Sequence, residues 1–165
     1  MANETAEIIG KKINPLPLKN FANIFEGNTL TLDWKKVCPQ ANFIFGNPPF
    51  VGFTFQTDEQ KKDLQNIFPK VKNLDYVCCW FKKAADFIQD TKIECAFVST
   101  NSITQGETVS QLWKFLDVTI NFAYRSFKWQ SESFNKAAVH CVVIGFAYFH
   151  RDKKIIFDGE EEIFA

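Results

Sequence analysis

The spacing of apolar and polar positions changes several times along the chain. Asn14-Pro15-Leu16-Pro17-Leu18 reads as extended, because each proline disfavours helix at the residue before it. A short strand is predicted over Asn23-Ile24-Phe25-Glu26, stopped by Gly27-Asn28, and Trp34 to Val37 reads as a helical turn or loop. Asn42-Phe43-Ile44-Phe45 is a short apolar run closed by Gly46, the pattern of a buried and parallel strand. Thr57 to Phe68 reads as a helix capped by Thr57 or Asp58 and ended by Pro69. A longer helix is predicted from Leu74 to Gln89. Val77, Trp80, Phe81, Ala84, Ala85 and Ile88 recur on one side, with Lys82, Lys83 and Asp86 on the other. Ile93 to Ser99 is the next buried strand, Thr100 to Ile103 turns out of it, and Gln111 to Leu116 belongs to another helix. Val118 to Ser126 and Ala138 to Phe149 read as an antiparallel pair around the polar stretch Gln130 to Lys136. Lys154 to Phe157 adds a short last strand.

Strands alternating with helices and closing in a hairpin make an α/β pattern. Asn47-Pro48-Pro49-Phe50 follows the first buried strand at once, and two prolines lack the N–H groups that would continue it. A stiff loop therefore stands at a strand's carboxyl end, where open α/β sheets bind ligands. A nucleotide-binding sheet of this kind usually opens on a glycine-rich turn. Here the seven glycines are scattered at 10, 27, 46, 52, 106, 145 and 159.

Composition changes the picture in three ways. Nineteen phenylalanines and four tryptophans among 165 residues are an uncommon share; a Phe-rich core accounts for most of the phenylalanines, and flat rings also suit the stacking of nucleobases. Formal net charge is zero, so the chain lacks the basic excess of a protein that grips phosphates unaided. Cys38, Cys78, Cys79, Cys95 and Cys141 are odd in number and lack zinc spacing, so no metal site is expected. Four of them sit in apolar stretches and read as buried thiols, which fits a reducing cytoplasm. No apolar run approaches the roughly 18 residues of a membrane span. His140, inside an apolar strand and without a triad partner, reads as an interior histidine.

The proline loop suggests a chemistry. An exocyclic amine on a base is a poor nucleophile because its lone pair is conjugated into the ring. Accepting hydrogen bonds from both N–H groups favours a pyramidal nitrogen, where charge develops in the transition state. Asn47 offers a side-chain carbonyl and Pro48 a backbone carbonyl, held stiffly by the two prolines. Phe50 offers a face for a flipped base. The methyl donor needs a good leaving group, namely S-adenosylmethionine.

Gly46-Asn47-Pro48-Pro49-Phe50 after an apolar strand resembles the catalytic motif of amino-methyltransferases acting on adenine in DNA. Gly27-Asn28-Thr29-Leu30-Thr31-Leu32-Asp33-Trp34 resembles the segment packed against the cofactor's adenine, with Asn28 where the broader family usually has Asp. Leu74 to Trp80, Phe97 to Gly106, Phe127-Lys128-Trp129 and Lys136 to Phe146 resemble the following helix, strand and target-base hairpin. The blocks run in order over roughly residues 14 to 150 and look most like the fused, single-chain type II restriction–modification enzymes.

The resemblance implies the C-terminal part of a class I, Rossmann-like S-adenosylmethionine-dependent sheet, its N-terminal cofactor-binding strands lying upstream. Residues 1–20 then form a lead-in linker, 21–157 a partial catalytic domain, and 158–165 a tail towards a recognition domain beyond Ala165. It implies catalytic roles for Asn47, Pro48, Pro49 and Phe50, and cofactor contacts for Asn28, Thr29 and Asn47. Phe127 or Trp129 would face Phe50 across the adenine; these two share a strand face, and the sequence does not separate them. Lys128 and Lys136 are expected on DNA phosphates. The partner would be double-stranded DNA held through flanking domains, the isolated chain would be inactive, and a truncated sheet edge would be able to pair with itself. The same loop also serves methylation of a protein glutamine or of ribosomal RNA adenine, and a non-catalytic binding module remains a third reading.

Overall fold

The computed structural model describes residues 24–129, 139–159 and 161–164. Among the described residues, six strands form one sheet: β1 (Phe43–Gly46), β2 (Glu94–Thr100), β3 (Thr119–Trp129), β4 (Val139–Ala147), β5 (Ile155–Asp158) and β6 (Glu161–Phe164), in spatial order β1-β2-β4-β3-β5-β6. β1 and β2 are parallel, with Gly46 opposite Phe97. β4 runs antiparallel to both β2 and β3, so the expected hairpin is inserted beside the parallel pair. Helices α1 (Trp34–Val37), α2 (Asp58–Ile67), α3 (Cys78–Ile88) and α4 (Gly106–Leu112) complete a mixed α/β architecture. Among the described residues, no helix is long and apolar enough to cross a membrane.

α2 begins where its sequence dictates. The Thr57 hydroxyl accepts from the Gln60 N–H, and the Gln60 side chain accepts in return from the Thr57 N–H, a full capping box. α3 supplies the centre of the core. Its Phe81, Ala84, Ala85 and Ile88 are buried at the predicted helical spacing. The Phe81 ring stacks on Phe146 of β4 at 5.5 Å and meets Phe97 of β2 edge-on at 5.4 Å, locking helix to sheet.

Several boundaries differ from the sequence expectations. Ile24 to Glu26 form no strand; Ile24 and Phe25 are exposed, with no neighbouring strand to pair with, and Asn23 lies outside the described residues. α3 starts at Cys78 rather than Leu74, because the Asp75 carboxylate takes the Val77 N–H and turns the chain just before the helix. α4 starts at Gly106 rather than Gln111, and a 3-10 turn, Trp113–Phe115, replaces its end. Only Leu112 of α4 is buried, so periodicity carries little signal there, and Gly106, at φ +59°, makes the left-handed turn that opens it. β6 falls within the expected tail, where Glu161-Glu162-Ile163-Phe164 shows no alternation. His140 is exposed at the start of β4, not interior.

On the sheet face away from α3, the ring of Phe122 lies over Gly145, its partner on β4. A Cβ at Gly145 would sit 2.0 Å from that ring, so the pair works only with glycine. At the other side of the sheet, β1 has a strand neighbour on one edge only among the described residues. Its Phe43 and Phe45 are 68% and 82% exposed, although parallel strands are ordinarily covered on both faces. Cavities of about 320 and 360 Å³ flank it, both lined by Phe43, Ile44 and Phe45.

The thiols divide as the apolar pattern predicts. Cys78, Cys79, Cys95 and Cys141 are buried and Cys38 is exposed. Burial pushes the Cys79 and Cys95 thiols up to about 12, and raises Cys78 and Cys141 as well. Because the thiolate is the nucleophile, brief alkylation near neutral pH is expected to modify Cys38 alone in the native chain and all five in denaturant. A second adduct in intact-mass spectra before unfolding would contradict this burial.

Candidate active site

The tetrapeptide leaves the carboxyl end of β1. Asn47 and Pro49 are exposed, Pro48 is buried and Phe50 is half-buried against the hydrophobic core. With prolines at two of four positions, the loop has few backbone donors with which to fix itself. Its upstream end is held by the β1–β2 ladder through Gly46. Its downstream end is held at Val51, whose two backbone groups are both engaged. The Val51 N–H donates to Asp75 Oδ1 at 3.1 Å. The Val51 carbonyl accepts from the Tyr76 N–H at 2.9 Å and from Gln56 Nε2 at 3.0 Å. Gln56 is buried, and its Nε2 also donates to the Leu74 carbonyl at 2.9 Å. Burial raises the Asp75 carboxyl above its ordinary range, opposed by backbone N–H groups of Val77, Val51 and Tyr76.

The same short segment reaches the Asn28 turn. Tyr76 Oη donates to Asp63 Oδ2 at 2.7 Å, and Asn28 Nδ2 donates to that same oxygen at 3.0 Å. Burial, then the Asp63 carboxylate, pushes the Tyr76 phenol upward. Asn28 Oδ1 accepts from the Leu30 N–H at 2.9 Å, a side-chain turn that closes locally. Thr29 is exposed, and its carbonyl accepts from Trp34 Nε1 at 2.9 Å. Lys83, expected on the solvent side of its helix, instead donates to the Leu30 and Leu32 carbonyls at 2.5 and 2.6 Å and lies over the Trp34 ring. The turn carrying Asn28 and Thr29, the helix α3 and the proline loop are thereby one connected unit.

The hairpin residues are placed separately. Phe127 pairs with Cys141, Lys128 with His140 and Trp129 with Val139, at the same end of the sheet as the carboxyl termini of β1 and β2. Residues directly opposite share a face. Phe127 therefore lies on the Cys141 face, with its ring edge-on to Tyr124 at 6.1 Å. Val142, Ile144 and Phe146 take the other face, in the core that Phe50 packs against. Two strands stand between β1 and β3, a lateral distance of about 14 Å at 4.8 Å per strand. Hydrogen bonds thus link the downstream end of the Asn47–Phe50 loop, through Val51, Tyr76 and Asp63, to Asn28, while Phe127 stands on β3, with β2 and β4 between it and β1. Lys128 is exposed. The Trp129 side chain and Lys136 lie outside the described residues.

Sequence reasoning missed Gln56, Asp75 and Tyr76 as supports of the loop. Asp75 carried the available signal: an aspartate just ahead of a buried apolar run is a turn-and-cap residue more readily than a helix interior.

Three comparisons bear on this arrangement. The family model for the MmeI DNA-methyltransferase domain matches residues 1–158. DNA methyltransferase A of Bacillus subtilis (strain 168) is 43% identical over 157 residues, covering 88% of this chain and 18% of that protein. The solved structure of the Type IIL restriction-modification enzyme MmeI in complex with DNA is 44% identical, with a TM-score of 0.82 over 99% of this chain and 24% of its own. The chain spans less than a quarter of the length of either relative.

Proposed function

Given that the chain belongs to the family of MmeI DNA-methyltransferase domains, we propose that it is the base-facing part of an adenine-N6 methyltransferase within a single-chain restriction–modification enzyme. The observation that carries this reading is the proline loop at the carboxyl end of β1. Its Asn47 is open to a ligand while Pro48 and Phe50 are packed beneath it. Asn47 Oδ1 and the Pro48 carbonyl accept the two amino hydrogens of an adenine swung out of the duplex. Phe50 stacks on the base, and an aromatic of the 127–129 segment approaches from the hairpin. An exocyclic amine needs only acceptors, and no proton-abstracting side chain stands beside Asn47 in the tetrapeptide; adenine is favoured among such bases by the resemblance of Asn47-Pro48-Pro49-Phe50 to the adenine-methylating motif. Lys128, and Lys136 beyond the described residues, meet phosphates.

The residues present fit the adenine end of S-adenosylmethionine. An amide oxygen has two acceptor sites. Asn28 Oδ1 uses one for Leu30, and the second remains for an adenine amine, with Thr29 exposed beside it. When bound, the cofactor supplies a methyl group on a sulfonium. The protein's own part is to orient the acceptor nitrogen through Asn47 and Pro48 and to keep the base flat on Phe50. The sheet is read as the C-terminal part of a Rossmann-like class I methyltransferase, working in the cytoplasm on double-stranded DNA. The open edge of β1 gives the isolated chain a tendency to self-associate.

Nucleoside analysis tests the reading. The complete protein carrying this domain, incubated with duplex DNA and labelled S-adenosylmethionine, is expected to yield N6-methyladenine. Methylcytosine as the only product, or label confined to RNA or to a protein glutamine, would refute it.

A further inference from the structure

A flexible loop cannot align two oxygen acceptors, and Asn47 to Phe50 has little with which to align itself. What stiffens it lies one residue downstream. Val51 is gripped from both sides of its backbone: Asp75 takes its N–H, while Gln56 and the Tyr76 N–H take its carbonyl. Asp75 Oδ1 is shared at equal 3.1 Å distances between the Val51 and Val77 N–H groups, so one carboxylate ties the loop to the start of α3. Gln56 bridges the Val51 and Leu74 carbonyls, so the same two segments are joined a second time by a buried side chain. These bonds cross 24 and 18 residues of sequence between Val51 and Asp75 and between Gln56 and Leu74. Asp75 also turns the chain ahead of α3, but its bond to Val51, like both bonds of Gln56, belongs to no helix or strand ladder. Their common target is Val51, the residue after Phe50.

We infer that Asp75 and Gln56 are positioning residues for the methyl-accepting loop, holding Val51 so that Asn47, Pro48 and Phe50 keep their places around the base. This rests on the catalytic reading of Asn47 to Phe50. Losing either hold lets the loop drift, and a displacement of about 1 Å at a reacting centre is enough to cost on the order of 10²-fold in rate. What Asp75 contributes is an oxygen that accepts twice. An amide oxygen at the same position does the same, so the negative charge is dispensable while the acceptor is not.

The test uses the complete protein under single turnover, with duplex and S-adenosylmethionine both saturating. Asp75→Ala is expected to slow methyl transfer about 10- to 100-fold, with Kd for DNA and cofactor changed by less than about threefold. Asp75→Asn is expected to return the rate to within about threefold of the parent. Gln56→Met keeps the volume and removes the donor, and is expected to slow transfer about 10-fold; it carries the test if Asp75→Ala does not fold. The inference is overturned by parental rates in Asp75→Ala and Gln56→Met. It is equally overturned by a loss that Asp75→Asn does not repair, or by a loss seen in Kd alone. Asn47→Ala separates the two layers. If that variant transfers methyl groups normally, the catalytic reading has failed and the clamp falls with it. If it is inactive while Asp75→Ala and Gln56→Met are normal, the clamp alone is wrong.

Discussion

Asn47→Ala in the complete protein is expected to slow methyl transfer by about 10²- to 10³-fold, roughly 2.7–4 kcal/mol, the usual loss when one preorganised hydrogen-bonding group at a developing charge is removed. Asn47 is exposed and stands directly after a strand that is held by its ladder to β2, so truncating it leaves the fold intact. The bond it makes matters most when the amine pyramidalises. For that reason kcat and kcat/KM should fall together, with KM for duplex nearly unchanged. Asn47→Asp retains an oxygen acceptor and should keep more activity than the alanine variant. Phe50→Ala should behave differently. Stacking acts on the extruded base before transfer as well as during it, so its loss weakens base capture and raises KM. Steady-state kinetics on a methylatable duplex reads all three variants. Transfer by Asn47→Ala within about threefold of the parent would remove the loop from the chemistry.

Phe81→Ala should produce the largest loss of stability, about 3–5 kcal/mol, because it removes a whole ring from a site that cannot close over the gap. Phe81 is fully buried and its ring is met by Phe97, Phe146 and Trp113, from two strands and a 3-10 turn. Those neighbours are fixed by the sheet ladder and relax only in part. For a unit of this length the loss corresponds to a fall in Tm of roughly 6–20 °C. Phe55→Ala is the matched control: the same atoms are deleted from a residue 84% exposed, and the change should stay within about 0.5 kcal/mol. Calorimetry of the two variants side by side decides it, and equal Tm values would mean that α3 is not the centre of the core.

The readable parts of this protein are those in which neighbours in sequence are neighbours in space. The position of β1 ahead of the proline loop, the capping box of α2 and the inner face of α3 all follow from local spacing, whereas the burial expected of β1 is not found, because Phe43 and Phe45 face outward and are exposed. The unreadable parts depend on long-range pairing. Tyr124 and Phe127 are three apart, which strict alternation would place on opposite faces. The register shift between them puts both on the face of Val143 and Cys141. A bulge of this kind leaves no mark in composition. The insertion of β4 between β2 and β3 is equally invisible, since nothing local to β4 distinguishes its two partners. The hold on Val51 lies between these cases. Asp75 was visible as a capping type of residue, but its second partner lies 24 residues upstream and only the folded chain brings it there.

Phe43, Ile44 and Phe45 give β1 greasy side chains above and below the sheet, beside a row of main-chain groups that no strand among the described residues takes up. A strand with one wet face punishes a mispaired neighbour, because a slip by one residue turns the wrong side chains inward. β1 imposes a smaller penalty of this kind, since the residues on both of its faces are apolar, although only Ile44 packs against the core. Correct alignment of any strand laid against it therefore depends more on what flanks that strand than on the four residues of the ladder. A separately produced strand meant to pair with β1 should keep its flanking parts covalently attached.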